Sequence, residues 1–181
     1  VNPVGPIFDL DKLGWLNGHY IRALGCDELA ARIVDHLILT GVLGAEPPAA
    51  QVELIRAATP LVQERMQLLS ESEGMLAFLL VGDGDLEIQD DARAQLKADA
   101  ARVVDTAIPV LEALPKWVAA DIEAALRAAL VDGLGIKPRV AFTPLRVGVT
   151  GRRISPPLFE SMEILGRDSS LVRLRALRAS L

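Results

Sequence analysis

Apolar residues recur every three or four positions along most of this 181-residue chain. That spacing places them on one face of an α-helix, whereas a half-buried strand alternates apolar and polar residues one by one. No run alternates strongly enough to predict a substantial sheet. The pattern therefore predicts an all-α protein, without internal repeats or low-complexity tracts.

Caps and breakers divide this pattern into consecutive helices. The first is predicted from Asp9, with an apolar face that includes Leu13, Leu16 and Tyr20, and the second runs from Asp27 to Gly41. Later helices are predicted to begin at Pro47, at Thr59 with Pro60, at Glu73, at Asp90 as a long alanine-rich helix, at Asp121, at Ser155 with Pro156, and at Asp168.

Prolines set the remaining boundaries. Pro109 is expected to break or kink the helix that begins at Asp90, and Leu114-Pro115 is expected to end it. We place the junction between two packed helical subdomains there, at residues 23–114 and 115–181. Residues 137–151 hold two prolines and short β-leaning runs, so they are predicted to form an irregular, extended basic loop.

Charge changes this picture, because it is distributed unevenly. Residues 1–136 carry 10 Lys and Arg against 21 Asp and Glu, whereas residues 137–181 carry 9 against 3. A basic segment in an acidic chain indicates a localised anionic partner, most simply a nucleic-acid backbone. The other interpretation is that these arginines only balance the acidic part. Arg173, Arg175 and Arg178 are predicted to lie on one solvated flank of the last helix.

Composition narrows the classes of protein. An apolar fraction of 51% with 24% charged residues predicts a folded, soluble chain, and no apolar run reaches the roughly 20 residues that span a bilayer. No signal peptide is visible, and the chain lacks an initiator Met, so we expect it to be part of something longer. A single cysteine, Cys26, excludes an internal disulfide and fits a cytoplasmic setting.

Candidate catalytic and metal-binding chemistry is sparse. Cys26 has no histidine at a useful spacing, and His19 and His36 occur alone on different helices. The Gly82-Asp-Gly-Asp loop lacks the spacing of a calcium-binding loop and is predicted to be an exposed turn. We expect neither catalytic residues nor a metal site in this chain.

The basic segment contains the candidate binding residues. Arg146, Arg152 and Arg153 can form bidentate hydrogen bonds with phosphates or base edges. Ser155 is predicted to cap the following helix, whose amide groups add partial positive charge. Leu158 or Phe159 could support splayed RNA bases from below.

Two separate motifs give the sequence a family resemblance. FDLDKLGWLNGHYIR, which starts at Phe8, resembles the segment that follows the catalytic part of bacterial glutamyl-tRNA synthetases. PLRVGVTGRRISPPLFE, which starts at Pro144, resembles the anticodon-binding stretch of the same family. LPKWV from Leu114 and IEAAL from Ile122 are also similar to that family, and they lie between the two motifs.

The resemblance implies the C-terminal, all-helical anticodon-binding half of a class I ligase that joins glutamate to tRNA(Glu) with ATP and Mg²⁺. The HIGH and KMSKS-type signatures of the catalytic domain do not occur here, so the catalytic domain is expected elsewhere in the parent enzyme. Residues 1–22 would be a remnant of the stem-contact region. The implied parent is monomeric and cytoplasmic, has no membrane partner, and can associate with enzymes of tRNA-dependent pathways.

The resemblance also implies roles for particular residues. Arg146 matches the anticodon-contacting arginine, Ser155 the hydroxyl before the prolines, and Leu158 the apolar residue before Phe-Glu. Arg65 matches an arginine that reads the third anticodon base, and an arginine there favours an enzyme that refuses tRNA(Gln). Arg152 and Arg153 are expected to touch phosphate. The alternative hypothesis is a helical protein–protein module whose basic tail meets an acidic partner.

Overall fold

The computed structural model describes residues 9–181, and for Leu10 and Asp11 it describes the backbone alone. Within that range the chain forms ten α-helices and no β-strand, which confirms the all-α prediction. The first eight residues of the predicted stem-contact remnant lie outside the described residues. The helices are α1 (Leu10–Ala23), α2 (Cys26–Leu39), α3 (Ala49–Gln63), α4 (Glu71–Leu80), α5 (Asp90–Arg93), α6 (Ala100–Glu112), α7 (Ala119–Leu126), α8 (Pro138–Thr150), α9 (Leu158–Leu165) and α10 (Arg167–Ala179).

The first four helices surround one hydrophobic core, which we call the N-terminal core. Leu29, Ile33 and Leu37 recur every four residues on α2 and are fully buried, as the apolar spacing predicts. Burial of such a side chain contributes about 1.5–3 kcal/mol. The other buried members are Ile21, Leu43, Ile55, Ala58, Val62, Met66, Leu76, Phe78 and Leu79.

The later helices surround a second core, the C-terminal core. Helix α6 packs against α7, α8 and α10, and α7 packs against α9. A π-helical stretch at Arg127–Gly133 continues α7 and adds Leu130 to this core. The other buried members are Val103, Val104, Ala107, Leu111, Ile122, Leu126, Ala141, Leu145, Val149, Leu158, Met162, Leu171, Leu174 and Leu177.

The two cores meet along α9. Leu165 packs against both of them, and α3 packs against α9. This contact brings the end of α3 close to the segment before α9, although the two are distant in sequence. The subdomain boundaries at residues 22 and 114 stay a prediction.

The predicted extended loop at residues 137–151 is instead helix α8. Ala141, Leu145 and Val149 recur every four residues and are fully buried, so this face holds the segment in a helix against the C-terminal core. Pro138 occupies the first turn of α8. First-turn amides have no partner within the helix, so the missing N–H of proline costs no hydrogen bond there. Gly151 ends the helix with φ +67°. The prolines and β-branched residues of this segment favoured an extended loop, but the helical spacing of its apolar residues was the correct signal.

Two Thr-Pro pairs explain why helices were predicted to start or stop at the wrong places. Helix α3 runs through Pro60, and α8 runs through Pro144, so no helix begins at Thr59. In each case the preceding threonine hydroxyl donates to the carbonyl four residues earlier, Thr59 to Ile55 over 2.8 Å. The carbonyl that loses its amide donor to Pro60 is that of Arg56, so the threonine bond adds a second contact in the adjacent turn and does not replace the missing one.

Three other elements differ from the prediction. The helix expected from Asp90 is split into α5 and α6, and Pro109 does not break α6, which continues to Glu112. Helix α7 begins at Ala119 rather than Asp121. The predicted inward face of α1 is exposed, since Leu13 and Tyr20 are 47% and 63% accessible. Alanine content and apolar spacing did not predict these helix boundaries and this exposed face, because tertiary packing overrides local helix propensity.

Candidate nucleic-acid interface

Part of the basic segment balances acidic residues of the preceding segment. Arg173, Arg175 and Arg178 all pair with carboxylates. Arg175 and Arg178 are solvated, as predicted, whereas Arg173 is only 2% exposed, so the prediction is wrong for that residue. Arg153, one of the candidate RNA-binding residues, also pairs with Asp91. The pairs are Arg153–Asp91 at 3.0 Å, Arg173–Asp83 at 2.7 Å, Arg178–Asp105 at 2.7 Å and Arg175–Glu112.

Four of the five other cations of this segment lie along α8, and the fifth, Arg167, donates to the Leu114 carbonyl and lies over the Trp117 ring. Lys137, Arg139, Arg146 and Arg152 have no carboxylate within 4 Å in the described part of the chain. They lie immediately before α8, within it and two residues after it. The positive charge available to a partner is therefore concentrated along one helix.

Arg146 is held in place by the loop that follows α8. Its Nη1 donates to the Ser155 hydroxyl, lies 3.0 Å from the Pro156 carbonyl oxygen, and is 3.5 Å from the Ser155 carbonyl oxygen. The side chain is half-buried. These contacts use one nitrogen, and a guanidinium carries five N–H donors, so others remain for a ligand.

Arg65 reaches the same loop from the end of α3. Its Nη1 donates to the Ser155 carbonyl oxygen over 3.3 Å, across 90 residues of sequence. Burial, together with the neighbouring Arg65 charge, lowers the pKa of the Arg146 guanidinium. Two like charges without a carboxylate between them favour an anionic or carbonyl-rich ligand.

The loop at residues 151–157 is fixed at its beginning. Gly151 adopts φ +67°, and a Cβ there would lie 2.4 Å from the Glu87 carbonyl oxygen, so only glycine fits. The Gln89 amide donates to the Gly151 carbonyl over 2.9 Å. The Arg152 amide donates to the Thr150 hydroxyl over 3.2 Å. Together these bonds hold the loop against the chain that precedes α5.

Ser155 does not cap a helix, contrary to the prediction. Helix α9 begins at Leu158, with Pro157 in the cap position. The Ser155 hydroxyl instead accepts from Arg146 and donates to the Pro156 carbonyl over 3.0 Å. The serine therefore orients the arginine. The Ser-Pro-Pro motif is typical of a helix N-terminus, so it predicted a cap instead.

Leu158 and Phe159 point into the protein. Leu158 is 3% exposed and belongs to the C-terminal core. Phe159 packs edge-on against Phe142, with ring centroids 5.2 Å apart. Neither side chain offers an open apolar surface on which a base could stack. Both instead anchor the start of α9 to the C-terminal core.

Ile154 is the exposed apolar residue of this loop, and the sequence analysis missed it. Its side chain is 63% exposed, between Arg153 and Ser155. Arg152 beside it is half-buried. A β-branched residue between an arginine pair and a Ser-Pro-Pro motif is the signal that could have identified Ile154.

His36 and Asp83, two of the remaining candidate positions, make structural contacts. The His36 Nε2 lies 3.0 Å from Glu73 Oε1, and Asp83 pairs with the buried Arg173. The other residues of the Gly82-Asp-Gly-Asp turn are exposed, as predicted. Among the side chains that the structure describes, no three His, Cys, Asp or Glu are grouped as a metal site. None of the described helices is long and apolar enough to cross a membrane.

Comparison with known proteins gives one consistent result. The family model described as an anticodon binding domain matches residues 21–178. The glutamate–tRNA ligase of Kineococcus radiotolerans is 55% identical over 181 residues, which are all of this chain and 36% of that protein. The glutamate–tRNA ligase of Acidothermus cellulolyticus is 56% identical over 176 residues, or 97% of this chain and 35% of that protein.

Solved structures agree on the fold. A glutamate tRNA ligase from Elizabethkingia meningosepticum, crystallised in complex with its amino acid, superposes with a TM-score of 0.78 over all of this chain and 34% of its own. Because the sequence identity is only 16%, this similarity is evidence for the fold alone. The chain spans about a third of the length of the curated relatives that it matches.

Proposed function

The chain belongs to the anticodon-binding-domain family, and on this premise we propose that it recognises the anticodon loop of tRNA(Glu). The observation that supports this most is the convergence of Arg65 and Arg146 on the Ser155 carbonyl. Both guanidiniums lack a carboxylate partner among the described residues. Bidentate donors held in this way can select base edges, because a mismatched base loses about 1–3 kcal/mol.

The residues around this pair have distinct proposed roles. Arg146 contacts an anticodon base, and Ser155 holds its guanidinium at the required angle. Leu158 supports the loop from the core, and Arg152 contacts a phosphate. Arg153 contacts phosphate only if its exposed ion pair with Asp91 opens, which costs about 0–1 kcal/mol.

In the whole protein this chain would position tRNA(Glu) for a glutamate–tRNA ligase. ATP and Mg²⁺ would act in the part of the relatives that this chain does not cover, and the parent would be a monomeric, cytoplasmic enzyme of protein synthesis. Association with enzymes of tRNA-dependent pathways would use other surfaces. The alternative, a basic tail that meets an acidic partner, is weakened because Arg173, Arg175 and Arg178 already pair within the chain.

Binding of the 181-residue chain to anticodon stem-loop RNA tests this proposal. We expect the tRNA(Glu) stem-loop to bind more tightly than the same stem with a scrambled anticodon. Arg146→Lys keeps the charge but loses the planar fork, so it should reduce this preference about 5- to 150-fold, the equivalent of 1–3 kcal/mol. Fluorescence anisotropy at fixed salt measures both affinities.

Arg175→Lys is the matched control, because Arg175 lies in the same basic segment but pairs with Glu112. It should leave the preference unchanged. Equal affinity of the unsubstituted chain for the two stem-loops would contradict anticodon recognition.

A further inference from the structure

A cavity of about 310 Å³ lies beside α8, in a part of the chain that the anticodon contacts do not use. Its walls come from the first half of α8 and from the segment that joins α5 to α6. The side chains that matter here are Gln95, Lys97, Asp99, Arg139 and Thr143. No local sequence pattern marks this place, because its two walls come from separate segments, residues 95–100 and 139–144.

The cavity and the anticodon contacts share one helix. Arg139, Thr143 and Arg146 follow each other at steps of four and three residues, so they lie on the same face of α8. Seven residues of helix separate Arg139 from Arg146 by about 10 Å along the axis. The cavity therefore lies next to the Arg146 contacts and extends the same basic stripe.

The charge of the cavity is unbalanced. Lys97 and Arg139 are both exposed, and neither has a carboxylate within 4 Å among residues 9–181. Asp99 is the one carboxylate that lines the cavity. The first turn of α8 adds partial positive charge to the same wall. A guanidinium and an ammonium at the rim of one cavity suit a tetrahedral oxyanion.

We propose that this cavity, which we call the phosphate cavity, holds a backbone phosphate of the same RNA whose anticodon contacts Arg146. The inference rests on the proposed function, which supplies the RNA. Lys97 and Arg139 donate to the phosphate oxygens, and Thr143 lines the same cavity. Phosphate contacts fix the register of the strand and carry no sequence information, so this site positions the anticodon for Arg65 and Arg146.

The test is the salt dependence of stem-loop binding by the 181-residue chain with Lys97→Ala, Arg139→Ala and both. Each phosphate contact contributes about 0.7–0.9 to the slope of log K against log salt. Each single variant should lower the magnitude of the slope by about that amount, and the double variant by about twice it. The loss of affinity should be the same for matched and scrambled anticodons.

Lys116→Ala is the matched control, since it also removes one positive charge. Lys116 follows the C-terminal end of α6, whereas Ala100 at the other end of α6 lines the cavity. That helix is about 18 Å long, which exceeds the Debye length of about 8 Å at physiological salt. The control should keep the slope of the unsubstituted chain, and circular dichroism should show the same helix content for all variants.

The phosphate cavity and the proposed function can fail separately. Slopes of the Lys97 and Arg139 variants equal to that of Lys116→Ala would overturn the cavity, whatever the anticodon preference. A loss of affinity confined to the matched anticodon would also overturn it, because the residues would then read bases. Equal binding of both stem-loops by the unsubstituted chain would instead count against anticodon recognition, while the slopes still decide the cavity.

Discussion

The buried Arg173 donates from Nε to Oδ1 of Asp83 over 2.7 Å, and this ion pair joins α10 to the segment that follows α4. The same guanidinium donates to the carbonyls of Phe78 at 2.8 Å, Val149 at 3.1 Å and Val81 at 3.1 Å. It thus joins the end of α4, which belongs to the N-terminal core, to the last turn of α8. The helix with Arg146 is fixed by this contact.

Arg173→Met is expected to destabilise the protein by about 3–5 kcal/mol, because it leaves Asp83 and three carbonyls without their donor. Urea denaturation followed by circular dichroism measures the free energy of unfolding. Arg175→Met, two residues away on α10, removes an exposed pair with Glu112 and should cost about 0–1 kcal/mol. Equal losses for the two variants would mean that the buried contacts of Arg173 add nothing.

Arg65→Gln is expected to relax selection at the third anticodon base. The substitution removes the guanidinium from the Ser155 carbonyl but leaves the contacts of Arg146 intact. The measured quantity is the ratio of affinities for two stem-loops that differ only at this base. This ratio should be about 5- to 150-fold smaller for Arg65→Gln than for the unsubstituted chain.

Arg56→Gln is the control for this change, because Arg56 lies within α3, which ends just before Arg65, and faces Asp27 at 3.6 Å. It should not alter the preference. If Arg65→Gln behaved like Arg56→Gln, Arg65 would be only a support for the loop.

Gly151→Ala is expected to destabilise the protein more than Gly135→Ala. Both glycines have a left-handed φ, +67° and +66°, so each alanine costs about 1–2 kcal/mol of backbone strain. At Gly151 the new Cβ would also lie 2.4 Å from the Glu87 carbonyl, whereas nothing lies within 4 Å at Gly135. Thermal unfolding of both variants measures the difference.

Only Gly151→Ala should also weaken stem-loop binding, since this glycine begins the loop that holds Ser155. Similar melting temperatures for the two alanine variants would show that the loop moves away from Glu87 at little cost. The reading of Gly151 as a close-packed position would then be wrong.

The sequence predicted the fold class and the separate helices well, because buried positions such as Leu29, Ile33 and Leu37 repeat at helical spacing. It did not predict that α3 and α8 run through Pro60 and Pro144, since both helices are held by burial of Ile55, Val62, Leu145 and Val149 against the cores and not by a local signal. Local signals such as Thr-Pro describe a cap and a helix interior equally well.

The candidate site was predicted residue by residue, but its geometry was not. Arg146 and Ser155 lie in the same sequence motif, so their contact could be predicted from it. Arg65 joins them only through the packing of α3 on α9, which no local pattern reports. Buried Arg173 was misassigned for the same reason, because helical spacing alone does not tell which arginine finds a carboxylate across the fold.

The Asp105–Arg178 pair gives a defined dependence on pH. Arg178 Nε donates to Oδ1 of Asp105 over 2.7 Å, and this bond holds the pKa of the carboxyl below its ordinary value of 3.8. Since the pKa is lower in the folded state than in the unfolded chain, the pair stabilises the protein above about pH 4. That contribution is lost as the pH falls through the folded-state pKa. NMR titration of the carboxyl carbon should therefore give a midpoint below 3.8 that moves up towards 3.8 in Arg178→Ala, whereas Arg175→Ala leaves it in place. A midpoint that ignores Arg178→Ala would show that the hydrogen bond is not the cause.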